Sequence, residues 1–154
     1  MMVADSQSSS QVGDVSRFKN TVLLTPTERE ARLALGNYED GLVVLAELLR
    51  KKTNALNIAI TLGSEGLLIH ANGSDEVNWL TDRLPTLNTA PKDVAGAGDC
   101  LLVSAAMALA LGRPVWESLY LGSVAAACQV GRIGNMPLTA AELLTETQRK
   151  SEFM

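Results

Sequence analysis

Histidine and cysteine are scarce in this chain: one histidine, His70, and two cysteines, Cys100 and Cys128, in 154 residues. His70 ends an apolar run and has no serine or cysteine partner in a motif, so it reads as structural rather than as the base of a nucleophile pair. Both cysteines lie in Ala/Leu-rich stretches without metal-ligand spacing. They read as small buried hydrophobes, which excludes a disulfide framework and leads to the expectation of a reducing cytoplasm. Basic charge is not in excess: 13 Lys and Arg stand against 17 Asp and Glu, for a net charge of −4. Nothing here suggests a nucleic acid or an anionic membrane surface as a partner. The longest apolar run, Cys100 to Leu111, falls well short of the roughly 20 residues of a membrane span and reads as a buried helix. The polar stretch Asp5 to Gln11 lacks the apolar region of a signal peptide. Aromatic residues are 4% of the chain, and Trp79 and Trp116 read as packing residues. A Gly-x-x-x-x-Gly-Lys-Ser/Thr sequence is absent, which excludes a P-loop nucleotide site.

What is present is 47% hydrophobic residues in a length suited to one domain with a sizeable core, expected to span 1–154. Residues 1–20 read as loop or frayed terminus. Val22 to Leu24 predicts a short strand closed by Thr25-Pro26. Thr27 with Glu30 has capping-box spacing and opens a helix Glu28 to Leu35, stopped by Gly36-Asn37. Asp40 to Lys52 predicts an amphipathic helix through Leu42, Leu45, Ala46, Leu48 and Leu49. Asn57 to Leu62 has the continuous apolar pattern of a strand buried in a parallel sheet. Leu67 to His70 continues as a strand, Asn72-Gly73 is a hairpin signal, and Val77 to Leu80 is the expected partner strand. Pro85 to Pro91 reads as extended. Helices follow at Asp99 to Leu111, Trp116 to Val130 and Thr139 to Lys150. The order β-α-α-β-β-β-α-α-α predicts an α/β layered domain.

The stretch Asp93-Val-Ala-Gly-Ala-Gly-Asp99 carries the most chemistry. Glycines at 96 and 98 precede an apolar helix, whose first N–H groups and dipole offer an anion site. Asp99 then stands where a general base would be needed beside a bound phosphate. The plain alternative is a helix cap.

Four motifs in order resemble the C-terminal half of ribokinase-like (PfkB-type) carbohydrate kinases. Asp93 to Asp99 is similar to the family's Asp-Thr-x-Gly-Ala-Gly-Asp, Thr61-Leu-Gly-Ser-Glu-Gly66 to its Thr-Leu-Gly-x-x-Gly turn, and Leu24-Thr-Pro-Thr-Glu-Arg-Glu-Ala31 to its Thr-Pro-Asn-x-x-Glu-Ala segment. Val130-Gly-Arg-Ile-Gly134 is similar to its late cation and nucleotide loop. In detail the chain resembles the heptose kinase and ADP-heptose synthase type. Two departures stand out: Thr27 replaces an Asn and Ala95 replaces a Thr.

The resemblance implies a ribokinase-like α/β/α, Rossmann-like core without the N-terminal sugar-binding half and lid, in a family whose members run to about two domain-sized lengths. It implies transfer of the γ-phosphate of Mg-ATP to a hydroxyl of a sugar or sugar phosphate. Asp99 would be the base, and the N–H groups of Gly96, Ala97 and Gly98 the anion hole. Thr27, Thr61, Gly63, Gly66 and Ser123 would contact ATP, with close helix packing the alternative for Ser123. Glu30 would hold Mg²⁺ through water, or serve only the cap of Thr27. Asp93, Ala95, Gln129, Arg132 and Gly134 would form a loop for a monovalent cation such as K⁺, mostly through carbonyls; for Arg132 the alternative is a helix C-cap. Without lid and sugar half, the chain alone is expected to turn over little sugar and to self-associate through exposed apolar surface. A nucleotide-binding fragment without catalysis, or a scaffold, is the alternative.

Overall fold

The computed structural model describes residues 1–5, 13–72 and 79–151. The chain divides into two compact units, Met1–Pro85 and Thr86–Met154. Among the described residues no helix is long and apolar enough to cross a membrane.

The first unit is built on a mixed five-stranded sheet in the order β1-β2-β3-β4-β5. Strands β1 (Val3–Ala4), β2 (Leu23–Leu24) and β3 (Asn57–Thr61) run parallel, while β4 (Leu67–Asn72) and β5 (Trp79–Leu84) are antiparallel. The parallel step from β2 to β3 needs a long crossover, and helices α1 (Glu28–Leu35) and α2 (Leu42–Thr53) supply it. Thr27 caps α1 in a capping box with Glu30, and Gly36 ends the helix at a φ of +64°, as the residue pattern predicts. Leu24, Ala31, Leu45, Ala46, Leu49, Ile58, Ile60 and Leu68 close the core of this unit.

Three details differ from expectation. Val3–Ala4 is a strand rather than loop, held by parallel pairing with β2, and Asp14 caps a 3₁₀ turn at Val15–Arg17. The buried face of α2 is Leu45, Ala46, Leu49 and Thr53, so Leu48 points outward beside exposed Val44. The sheet is parallel only on one side of β3. Gly73 of the hairpin signal and Val77 of the expected partner strand lie outside the described residues; the strand that pairs with β4 runs on to Leu84.

His70 is buried and structural. Its Nδ1 lies 2.7 Å from Thr81 Oγ1 and its Nε2 3.0 Å from Glu47 Oε2, so one ring joins β4 to β5 and to α2. Arg50 donates to both Glu47 oxygens, at 2.7 and 2.9 Å, and Lys51 lies 3.2 Å away. These donors, Arg50 first, hold the Glu47 carboxyl down to about 2.

The second unit is helical: α3 (Ala97–Ala110), α4 (Val115–Val130) and α5 (Ala140–Ser151). A Cβ on Gly122 would lie 2.6 Å from Leu101 O, so α3 and α4 approach backbone to backbone there. Thr139 and Glu142 form a second reciprocal cap at the start of α5. Trp116 is half-buried on α4. Both cysteines are free and half-buried rather than buried, and the burial they do have pushes both thiols up.

The Glu47 cluster generates a pH prediction. A carboxyl whose pKa is lower folded than unfolded adds stability above its unfolded value, about 4.3, and loses it as pH falls toward 2. Glu47→Gln is therefore expected to cost about 1–2 kcal/mol at neutral pH, a figure reduced for solvent screening. The difference from the parent should shrink between about pH 4.3 and 2 in urea unfolding run at stepped pH. A difference that stays constant across that range would contradict the assignment.

Candidate active site

The residues singled out from the sequence fall into one group in each unit. In the first unit, Thr27 and Thr61 form a parallel bridge where the chain leaves β2 and β3. Thr61 N donates to Pro26 O at 2.9 Å. Glu30 is buried, and its Oε2 accepts from Thr27 N and Thr27 Oγ1, both at 2.8 Å, while Thr27 Oγ1 accepts from Glu30 N at 3.2 Å. The capping role of Glu30 is thus fully realised, with its buried carboxylate joined to the hydroxyl of the exposed Thr27.

Beyond β3 the chain makes a tight turn. Gly63 has a φ of +60°, and Gly66 a φ of +93° with ψ −129°, a backbone state open only to glycine. Leu62 N donates to Gly66 O and Gly66 N to Gly63 O, which closes the turn. The result is an exposed glycine loop next to the Thr27–Glu30 pair, in the same unit.

The second group surrounds the start of α3. Gly96 is the N-cap at a φ of +76°, so the helix begins at Ala97, two residues before the position expected. No side chain caps this end, and the exposed Asp99 lies in the first turn. The capping role considered for Asp99 is not used. Ala97 N makes a 3.3 Å turn bond to Val94 O, so of the expected anion-hole donors this one is already engaged. The N–H groups of a first helical turn have no partner within the helix. Among them is that of Gly98, which leaves a polar, positively polarised end beside a carboxylate.

The loops at either side of this end are stitched together. Asp93 Oδ1 accepts from Ala95 N and Oδ2 from Gly134 N, each at 3.0 Å. These backbone donors, Ala95 before Gly134, hold the Asp93 carboxyl below the usual carboxylate range. Gln129, fully buried at the end of α4, donates through Nε2 to Ala95 O and Gly134 O, both at 3.1 Å. Its own carbonyl accepts from Gly131 N and Arg132 N. Arg132 does not cap α4 with its side chain; its guanidinium pairs with Glu142 at 3.1 Å and reaches Pro137 O. Two of the carbonyls expected to face a monovalent cation, Ala95 O and Gly134 O, are therefore taken by a side-chain amide, and as arranged these residues do not fit that ion.

Ser123 is buried on α4, and its Oγ has no hydrogen-bond partner among the described residues. Its neighbour Gly122 is explained by packing against Leu101, whereas the unpaired hydroxyl of Ser123 is not. Asn135 went unnoticed in the sequence. Its side chain lies against Gly96, so that a Cβ there would overlap Oδ1 and come within 2.8 Å of Cγ. A polar residue directly after the Gly134 motif was the signal that could have found it.

Comparison with known proteins gives the following. Residues 1–141 match the family described as pfkB family carbohydrate kinase. The bifunctional protein HldE of Wolinella succinogenes is 35% identical over 133 residues, 84% of this chain and 27% of the relative. HldE of Campylobacter fetus is 32% identical over 143 residues, 91% of this chain and 30% of the relative. The chain thus spans between a quarter and a third of these relatives. Among solved structures, a ribokinase from Thermotoga maritima is similar with a TM-score of 0.69 at 25% identity, over 82% of this chain and 42% of that one. Phosphofructokinase-2 from Escherichia coli, in complex with potassium, shares the fold at 16% identity and a TM-score of 0.75, over 97% of this chain and 47% of that one. The α/β, ribokinase-like fold expected from the motifs is the fold observed.

Gly96 offers a direct check on the geometry of the α3 start. Gly96→Ala places a side chain in the left-handed region and against Asn135, and should destabilise the chain by about 1–3 kcal/mol in urea unfolding. Adding Asn135→Ala should recover only the overlap, leaving the backbone cost of about 1 kcal/mol. An alanine at 96 with unchanged stability would contradict the geometry.

Proposed function

The chain belongs to the pfkB family of carbohydrate kinases, and from that premise we propose that it forms the nucleotide-handling, catalytic-base portion of an ATP-dependent sugar kinase. The observation that carries this reading is the uncapped glycine start of α3, with Asp99 exposed in its first turn.

In this reading the acceptor is a hydroxyl of a sugar or sugar phosphate, of the heptose class. Asp99 takes the proton of that hydroxyl as its oxygen attacks the γ-phosphorus of ATP. The bond to the β-γ bridging oxygen breaks, and ADP leaves. The helix start, through Gly98 with Gly96 and Ala97 shaping its approach, stabilises charge on the phosphoryl oxygens. Thr61, Gly63 and Gly66 line the nucleotide, since a glycine turn lets phosphate approach the backbone. Ser123, whose buried hydroxyl has no partner among the described residues, faces the adenine. Glu30, held beside Thr27, would hold Mg²⁺ through water, since that ion needs only one or two carboxylates besides phosphate. The ion would supply charge neutralisation on the phosphates.

The reading is tested by thermal melting. Mg-ATP at about 100 times its Kd should stabilise the chain by about 2.7 kcal/mol, raising Tm by about 5–10 °C. Asp99→Asn should keep that shift, because a base is not a nucleotide anchor. Any sugar-dependent phosphoryl transfer should fall by about 10²–10⁴ in the same variant. No shift with Mg-ATP would contradict nucleotide binding and leave a scaffold that retains only the fold.

A further inference from the structure

We propose that the side-chain amide of Gln129 is a built-in substitute for a monovalent cation, tying the start of α3 to the loop after α4 without an ion. The inference rests on the family reading of these two loops, not on phosphoryl transfer itself.

The geometry is specific. Ala95 O and Gly134 O converge from loops 34 and 5 residues away in sequence onto one nitrogen, Gln129 Nε2, at the same 3.1 Å. Both partners are carbonyl oxygens and can only accept, so the amide nitrogen must face them. On the other side of the amide, Cys100 Sγ lies 3.9 Å from Oε1, as expected of a weak thiol donor to the amide oxygen. The side chain is completely buried. An ion placed between the two carbonyls would displace the amide nitrogen and leave its N–H groups buried without those partners, at a desolvation cost.

The surrounding groups agree with an ion-free arrangement. Asp93, the acidic group of the loop, has its two oxygens satisfied by Ala95 N and Gly134 N. Gly134 O also accepts from Met136 N at 3.0 Å, and Gln129 O from Gly131 N and Arg132 N. Arg132 is engaged by Glu142. Gln129 is thus a positioning residue: it touches neither phosphate nor sugar, and acts by fixing Ala95 directly before the Gly96 cap.

The test is thermal melting of the full chain in K⁺ and in choline chloride at equal ionic strength. The parent chain should show a K⁺-selective change in Tm of less than about 1 °C. Gln129→Ala should melt about 4 °C or more lower in choline, and K⁺ should restore part of that loss, because the vacated space and its two carbonyls become available to the ion. Should Gln129→Ala fail to fold, Gln129→Val keeps part of the volume, carries no donor and leaves the space between the two carbonyls open, and should show the same K⁺ response. A K⁺-selective rise in the Tm of the parent overturns the proposal. So does a folded variant that responds to K⁺ no more than the parent. A missing Mg-ATP shift, by contrast, would contradict the kinase reading and leave this result intact.

Discussion

The hydrogen bonds that the buried Gln129 amide makes to Ala95 and Gly134 set the geometry on which the candidate chemistry of the second unit depends. Ala95 lies one residue before Gly96, whose positive φ turns the chain into α3. With Ala95 fixed from behind and Asp93 clamped across to Gly134, the helix can start abruptly with no capping side chain. An uncapped helix end is ordinarily a liability, since its first N–H groups need partners. Here the loops carry the structural load, and the end is left open to an anion.

The first unit reaches a related result differently. Its helix α1 is fully capped, and the capping pair is built from Thr27 and Glu30, the residues the family resemblance assigns to ATP and Mg²⁺. The cap fixes both side chains, Thr27 exposed and Glu30 buried against it. A hydroxyl and a carboxylate pre-ordered in this way lose little further side-chain entropy on meeting a solvated ion. The structural and functional readings of Glu30 are therefore compatible. The glycine turn 63–66 follows the neighbouring strand, and its unusual dihedrals leave backbone rather than side chain at the surface.

Local signals were legible in the sequence. The capping box at Thr27, the left-handed stop at Gly36 and the strand at Asn57 depend on residues within a few positions of one another. The four family motifs were legible because their glycines and acids recur at fixed spacing. Non-local features were not. Val3–Ala4 is too short to carry a period and becomes a strand only by pairing with β2. Leu48 fits the helical pattern, yet the sheet meets α2 along Leu45 and Leu49. Gln129 was placed in the cation loop through its backbone, whereas its side chain bridges two loops, one of them 34 residues distant. Nothing in the local pattern around Gln129 announces that contact.

The central claim is that each unit carries its own nucleotide-responsive segment, the glycine turn after β3 in the first and the start of α3 in the second. Amide hydrogen exchange with and without Mg-ATP addresses both places at once. The account predicts slowed exchange confined to the segments around Gly96–Cys100 and Gly63–Leu67, while the core amides of β3 stay unchanged. Unaltered exchange in both segments at saturating Mg-ATP, or protection elsewhere only, would contradict it.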